Sequence, residues 1–181
     1  MIVVFGTPGA GKSTVIKASG VRAINFGDVM LELARSRYGI EDRDQMRKRI
    51  PPQEYRQLQI DTAKEIERRN PVVLDTHASI KMPGGYLPGL PLYILEQLTV
   101  QGFVYITAKP EEIVARRQKD QRARDAETPE QILEHERINL SMASAYAVLK
   151  GAPLKILINA EGQLEHTVEE FKKVLRWFGS I

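Results

Sequence analysis

Cysteine is absent from the sequence, which excludes a disulfide framework and any metal site built on thiolates. A chain without cysteine suits a reducing compartment, and we expect a cytoplasmic protein. Long apolar runs are also missing, since none approaches the roughly 20 residues that a membrane-spanning helix requires. What remains is the composition of an ordinary globular protein, with 43% hydrophobic and 27% charged residues. The 181 residues are predicted to form a single domain without internal repeats.

Hydrophobic periodicity along the chain predicts alternating strands and helices. The strands are predicted, in order, at MIVVF, VRAIN, PVVLDT, GFVYIT and LKILIN. Between them we expect helices, including one over residues 28–37 and a longer one from Pro51 towards Asn70. Residues 77–91, HASIKMPGGYLPGLP, are rich in glycine and proline and are predicted to be an irregular loop. Strands joined by helical crossovers imply a five-stranded, mostly parallel sheet with helices on both faces, a three-layer α/β/α domain.

A glycine-rich motif, GTPGAGKS, lies between the first predicted strand and the first predicted helix. It matches the phosphate-binding P-loop pattern, in which backbone N–H groups and the positive end of the following helix face a bound anion. In that pattern Lys12 reaches the β- and γ-phosphates, and the Ser13 hydroxyl binds Mg²⁺. The sequence therefore predicts a nucleoside triphosphate site formed by Gly6, Thr7, Pro8, Gly9, Ala10, Gly11, Lys12, Ser13 and Thr14.

An acidic residue, Asp75, ends the third predicted strand. Enzymes that transfer phosphoryl groups from a P-loop hold the metal ion with such a carboxylate. Asp75 is therefore the candidate that holds Mg²⁺, directly or through its bound water. An aspartate at a strand end also commonly caps a turn, and the sequence leaves that alternative open.

Two segments rich in arginine bear on what accepts the phosphate. The run ARRQKDQRARD follows the fourth predicted strand, and EDRDQMRKR lies between the second and third. Arginines that close over a phosphoryl group in transfer stabilise its charge, so the first run is interpreted as a short mobile lid. Arg43, Arg47, Lys48 or Arg49 of the second run would hold an acceptor phosphate. Solvated helix faces are the alternative for both runs.

The expected role of Asp28 depends on whether the phosphate acceptor is a neutral alcohol or an anion. A neutral alcohol acceptor needs a carboxylate to take its proton, and Asp28 is placed to be that base. A nucleoside monophosphate is already an anion near pH 7 and needs none, so Asp28 would then cap its helix or touch the acceptor. The number of arginines favours the anionic acceptor.

The residues described so far are also compatible with two other functions. One is a P-loop kinase for another nucleoside monophosphate or a small alcohol. The other is a P-loop ATPase that acts in RNA or ribosome assembly, for which the basic run ARRQKDQRAR is the motive. No aromatic residue lies among those arginines to stack on bases, and the formal net charge is only +3. Neither a nucleic acid nor a membrane is therefore an expected partner.

The sequence resembles the archaeal-type adenylate kinases over essentially its whole length. The stretches that carry the resemblance are VVFGTPGAGKST, NFGDVMLELA, EDRDQMRK, DTHASIKMPGGYLPGLP, RRQKDQRARD and AYAVLKGAPLKILINAEG. The resemblance implies a P-loop NTPase fold with a region that binds the nucleoside monophosphate (NMP) at about residues 26–70 and a small lid at about residues 116–128. It implies reversible transfer of the γ-phosphate of Mg-ATP to AMP, which yields two ADP, by a homotrimer.

The resemblance also implies roles for individual residues. Catalysis would involve Lys12, Arg116, Arg122 and Arg124. AMP would lie near Asp28, Arg47, Asp75, Thr76, His77 and Gly85. We interpret His77 as a hydrogen-bonding residue that positions the substrate, because a lone histidine after a strand is seldom a metal ligand. One departure stands out: the chain has Asn139 and Leu140 where some relatives place an arginine.

Overall fold

The computed structural model describes residues 1–119 and 127–181. Within these ranges the strands are β1 (Ile2–Gly6), β2 (Ala23–Asn25), β3 (Val73–Asp75), β4 (Ser79–Met82), β5 (Gly85–Pro88), β6 (Gly102–Thr107) and β7 (Leu154–Ile158). The helices are α1 (Lys12–Ser19), α2 (Phe26–Tyr38), α3 (Arg43–Arg49), α4 (Pro52–Arg69), α5 (Leu92–Leu95), α6 (Pro110–Lys119), α7 (Pro129–Lys150) and α8 (Leu164–Trp177). No helix in the described ranges is both long and apolar enough to cross a membrane.

A five-stranded parallel sheet in the order β2-β3-β1-β6-β7 forms the centre of the molecule. Successive residues of β1 point to opposite faces of this sheet. Val3 and Phe5 join a core cluster with α2, α4 and α7, whereas Ile2 and Val4 join a second cluster with α1 and α8. Helices therefore cover both faces, which confirms the predicted three-layer α/β/α fold.

The register of the sheet brings the predicted site residues to one edge. Val4 lies beside Asp75 on β3 and beside Val104 on β6, and Asn25 at the end of β2 also pairs with Asp75. The carboxyl ends of these strands consequently meet beside the loop that follows Gly6. Parallel sheets bind their ligands at this edge.

The prediction of an irregular loop over residues 77–91 is wrong, because β4 and β5 form an antiparallel hairpin there. Met82 pairs with Gly85, so a tight turn joins the strands, and the glycines and proline mark that turn rather than the absence of strands. Directly opposite residues share a face: Ile80 pairs with Leu87, and Lys81 pairs with Tyr86 on the other side. The hairpin therefore has two distinct faces.

Helix α8 carries the apolar stripe that its spacing predicts, and this stripe holds it on the sheet. Val168, Phe171 and Leu175 are buried in the cluster formed with β1 and β6, with Leu164 and Phe178 packed at its margin. Phe171 is fully buried. Trp177 belongs to the same helix but leaves 76% of its surface exposed.

We therefore predict that Phe171→Ala destabilises the domain by about 3–5 kcal/mol, because it removes a buried ring and leaves a cavity. Urea unfolding followed by circular dichroism measures this change. The matched control, Trp177→Ala in the same helix, should shift the free energy of unfolding by less than about 1 kcal/mol. Equal losses in the two variants would contradict the packing described for α8.

Candidate active site

The P-loop turns sharply between β1 and α1, and two glycines make the turn possible. Gly9 and Gly11 have φ angles of 93° and 86°, in the left-handed region that favours glycine. The loop closes locally through a hydrogen bond of 2.9 Å from the Ala10 N–H to the Thr7 carbonyl. Behind the loop, the Asn159 amide donates to the Ala10 carbonyl at 2.8 Å and occupies the space that a Cβ on Gly11 would need. The Asn159 side chain thus holds the P-loop backbone from behind the loop.

An open cleft of about 470 Å³ lies in front of this loop. Its lining residues come from the loop, from the ends of β2 and β3, and from α3 and α6: Gly6, Thr7, Pro8, Gly9, Gly11, Lys12, Ser13, Thr14, Asn25, Arg43, Asp75, His77, Arg116 and Arg117. Most residues predicted from the motif are therefore placed together. Ala10 and Thr76 are buried and do not line the cleft.

Lys12 and Asp75 form an ion pair inside the cleft. The Asn25 amide donates to the second oxygen of the same carboxylate at 3.2 Å. Burial lowers the pKa of Lys12, because removing an ammonium group from water disfavours its charged form. The lysine that should bind phosphate is thus held beside the carboxylate that is the candidate for the metal.

The Thr7 side chain points away from the cleft. Its hydroxyl lies 2.8 Å from the Tyr105 hydroxyl, and both residues are buried. Burial raises the pKa of Tyr105 to about 12, so the phenol is neutral at physiological pH. Thr7 therefore presents its backbone to the cleft, while its side chain anchors the loop to β6.

The Asp28 carboxylate forms an ion pair with Arg43 at the mouth of the cleft. Asp28 does not cap α2; Asn25 does, since its side-chain oxygen accepts a hydrogen bond of 3.2 Å from the Asp28 N–H. The same oxygen accepts a bond of 3.1 Å from Arg43. Among the basic residues of α3, Arg43 is the one that lines the cleft.

A second cavity of about 750 Å³ lies between α3, α4 and the hairpin. Arg47 lines it one helical turn beyond Arg43, with its guanidinium 5.7 Å from the centre of the Tyr55 ring and 2.9 Å from the Met82 sulfur. The apolar face of the hairpin, with Ile80 and Leu87, closes the opposite side. Helix α3 therefore presents Arg43 to the first cavity, and Arg47, Lys48 and Arg49 to the second. Gly85 lies at the exposed end of the hairpin and lines neither cavity.

Two arginines of α6 reach the P-loop from its other side. Arg116 donates to the carbonyls of Asn159 at 2.9 Å and Ala10 at 3.3 Å, and it forms an ion pair of 3.1 Å with Glu161. Arg117 donates twice to the Pro8 carbonyl, at 2.8 and 2.6 Å.

Of the predicted lid arginines, Arg116 lines the cleft, whereas Arg122 and Arg124 lie outside the described residues. Nothing in the sequence distinguishes Arg117 or Arg43 from the other basic residues of its run, because only the packing of α6 and α3 separates them from their neighbours. At the position of the departure noted above, Leu140 packs against the core and Arg137 is exposed.

His77 lies on the cleft wall, with its side chain accessible through the cleft. Surrounding protein, and then the positive charges of Lys12 and Arg43, lower the pKa of His77 to about 4. The imidazole is therefore neutral at pH 7. A neutral ring can donate one hydrogen bond and accept another, which agrees with a positioning role.

Residues 5–133 match a family model described as an AAA domain. The chain is similar to the adenylate kinase of Thermoplasma acidophilum, with 43% identity over 96% of this chain and 97% of the relative. It is similar to the adenylate kinase of Methanothermobacter thermautotrophicus, with 44% identity over 97% and 98% of the two chains. Among solved structures, shikimate kinase from Bacteroides thetaiotaomicron aligns with a TM-score of 0.61 and 16% identity over 97% of both chains. At that identity the likeness concerns the fold alone.

The steric limit at Gly11 gives a direct test of the loop. Gly11→Ala should weaken ATP binding at least about tenfold, because its Cβ strains the backbone and displaces the Asn159 amide. Isothermal titration with ATP measures the affinity. Gly20→Ala is the control: Gly20 is also left-handed, with a φ of 71°, but has open space around it, so ATP affinity should be unchanged. Wild-type affinity in the Gly11 variant would contradict the role of the loop.

Proposed function

The chain belongs to the adenylate kinase family, and from this we propose that it transfers the γ-phosphoryl group of Mg-ATP reversibly to AMP, producing two ADP. The structural observation that carries the proposal is the cleft in which Lys12, Asp75 and Arg43 converge on a P-loop. This arrangement supports binding of a triphosphate on one side and of an anionic acceptor on the other.

ATP binds with its phosphates on the backbone of residues 6–14. Lys12 leaves Asp75 for the β- and γ-phosphates, because a phosphate carries more negative charge than a carboxylate. The Ser13 hydroxyl and the Asp75 carboxylate both line the cleft, and their oxygens suit Mg²⁺, which takes its remaining ligands from phosphate and water. When bound, Mg²⁺ neutralises charge on the β- and γ-phosphates.

AMP spans the two cavities. Its phosphate lies near Arg43 and Asp28 at the mouth of the cleft, and its base lies in the second cavity beside Arg47. The placement of Arg43 and Arg47 one turn apart on α3 supports this arrangement. His77 positions the phosphate through hydrogen bonds. Thr76 joins His77 to the end of β3, and Gly85 begins β5 of the hairpin that lines the second cavity, so both lie beside the AMP contacts.

The arginines supply the charge stabilisation that the transferring phosphoryl group requires. Arg116, Arg122 and Arg124 of the lid segment, residues 116–128, act on the phosphates together with Lys12. Arg117 joins this set, since its guanidinium already rests on the Pro8 carbonyl at the tip of the loop. Residues 26–70 form the region that binds AMP.

We further propose that the protein acts in the cytoplasm as a homotrimer. The family resemblance is the basis for the trimer, and the edge strand β7 supports it, because Ile156 and Ile158 leave 48% and 65% of their surface exposed there. Light scattering on the purified protein gives the mass that tests this.

Measurement of ADP formed from Mg-ATP with AMP, CMP, UMP, GMP, shikimate or no acceptor tests the function. We expect strong turnover with AMP, with two ADP per AMP consumed. ATP consumption that is independent of any acceptor would instead identify an ATPase, and turnover with shikimate would identify an alcohol kinase.

Asp28→Asn tests whether the acceptor requires a base. The rate of the chemical step should change by less than about tenfold, because the AMP phosphate has no proton to surrender. Rapid-quench measurement of ADP in a single turnover isolates that step. Glu32→Gln neutralises another carboxylate of α2 and controls for the loss of charge. A fall of more than about a hundredfold in the Asp28 variant alone would indicate general-base catalysis.

A further inference from the structure

Glu127 connects two segments that serve different substrates. It precedes α7 and accepts a hydrogen bond of 2.6 Å from the Lys81 ammonium, which belongs to the hairpin. It also forms an ion pair with Arg117 of α6. Arg117 in turn rests on the Pro8 carbonyl of the P-loop. One carboxylate thus links the P-loop and the hairpin through two cations.

Protein encloses the Glu127 and Arg117 side chains, whereas the Lys81 side chain is 46% exposed. The Glu127 side chain is 13% exposed and that of Arg117 is 9% exposed. Burial disfavours the charged carboxylate, but the hydrogen bonds from Lys81 and Arg117 outweigh this and lower the pKa of Glu127. The group is therefore ionised at neutral pH. Without its negative charge, the buried Arg117 guanidinium would lose its carboxylate partner and Lys81 would lose its link to α6.

The hairpin that carries Lys81 on one face lines the second cavity with its other face. Lys81 and Tyr86 form the face that meets Glu127 and α7, where the Tyr86 hydroxyl donates to Glu134 at 3.2 Å. Ile80 and Leu87 form the opposite face, which lines the second cavity. Displacement of the β4 backbone at Lys81 therefore also displaces the neighbouring Ile80 on the wall of that cavity.

The geometry points to Glu127 as a positioning residue for phosphoryl transfer: it holds Arg117 at the tip of the P-loop and Lys81 on the hairpin, and so fixes the donor phosphates relative to the acceptor cavity. This inference rests on the proposed function, because it assigns the second cavity to AMP. Glu127 contacts no substrate itself and acts through its two cations.

A residue of this kind affects the transition state more than substrate binding. Each nucleotide retains its other contacts when Glu127 is altered, so both KM values should hold. Transfer requires the reacting atoms to be aligned, and small displacements reduce the rate steeply. The expected signature is a loss in kcat without a matching rise in KM.

The test compares Glu127→Gln, Glu127→Asp and Lys81→Met in steady-state ADP formation, with thermal unfolding of each variant. Glu127→Gln should lower kcat about tenfold or more while both KM values stay within about threefold, and Glu127→Asp should restore part of the rate because it keeps the charge. The Glu127→Gln, Lys81→Met double variant should be no slower than the slower single variant, since Glu127→Gln already breaks the contact that Lys81→Met removes. Glu134→Gln removes a carboxylate of α7 beside the same hairpin face and should keep the wild-type rate, because the glutamine oxygen still accepts from the Tyr86 hydroxyl.

All variants are assayed at least 10 °C below their unfolding midpoints, so unfolded protein does not lower kcat. Wild-type kcat in Glu127→Gln would overturn the inference, as would a multiplicative loss in the double variant. Lower KM values together with a lower kcat would also overturn it, because Glu127 would then compete with the substrate phosphates. Failure of the wild-type enzyme to form ADP from ATP and AMP would instead refute the proposed function.

Discussion

Mutual repulsion among the cations around the P-loop is the constraint that the rest of the cleft satisfies. Lys12, Arg43, Arg116 and Arg117 all face one cleft, and like charges at such distances destabilise the fold. Each has an acidic partner from another part of the chain: Asp75, Asp28, Glu161 and Glu127. In the function proposed above, substrate phosphates would replace some of these carboxylates rather than enter an unpaired cluster of positive charge. The site is therefore folded around its own anions before it binds those of the substrate.

Each of these cations lies at least 10 residues from its acidic partner, beyond the range of local sequence patterns, which explains what the sequence could and could not predict. The P-loop was readable because its strand, glycines, lysine and helix are contiguous, and the five sheet strands were readable from their β-branched runs. Arg43 and Arg117 could not be told apart from their neighbours, since their selection depends on where Asp28 and Glu127 lie after folding. Local sequence patterns predict helices and strands. Which of several similar arginines faces the cleft depends on contacts that form only when the chain folds.

The hairpin illustrates the same limit with a different cause. The glycines and prolines of this segment predict irregular chain, yet Pro83 and Gly84 form a tight turn, and Gly85 and Pro88 are the first and last residues of β5. The strands are favoured by buried hydrogen bonds to α7, which the sequence of the hairpin does not reveal. The Ser79 N–H and hydroxyl both donate to Asn139 on α7, at 3.0 and 2.6 Å, and His135 lies 3.1 Å from the same hydroxyl. Because the Ser79 proton goes to Asn139, His135 must donate through Nε2 to the serine oxygen.

This buried set of hydrogen bonds has a counterpart at the P-loop, where Thr7 is held by Tyr105. Both anchors are neutral, so they fix backbone position without adding charge to the cleft. In the proposed function, the charged contacts at the cleft surface would exchange protein carboxylates for phosphates while these neutral contacts hold the backbone. Fold alone does not separate an alcohol kinase from an adenylate kinase, since shikimate kinase aligns with a TM-score of 0.61. The ion pairs do bear on the difference between these two kinds of kinase. Asp28 is paired with Arg43, and this pairing suits an anionic acceptor, because such an acceptor needs the arginine and does not need a base.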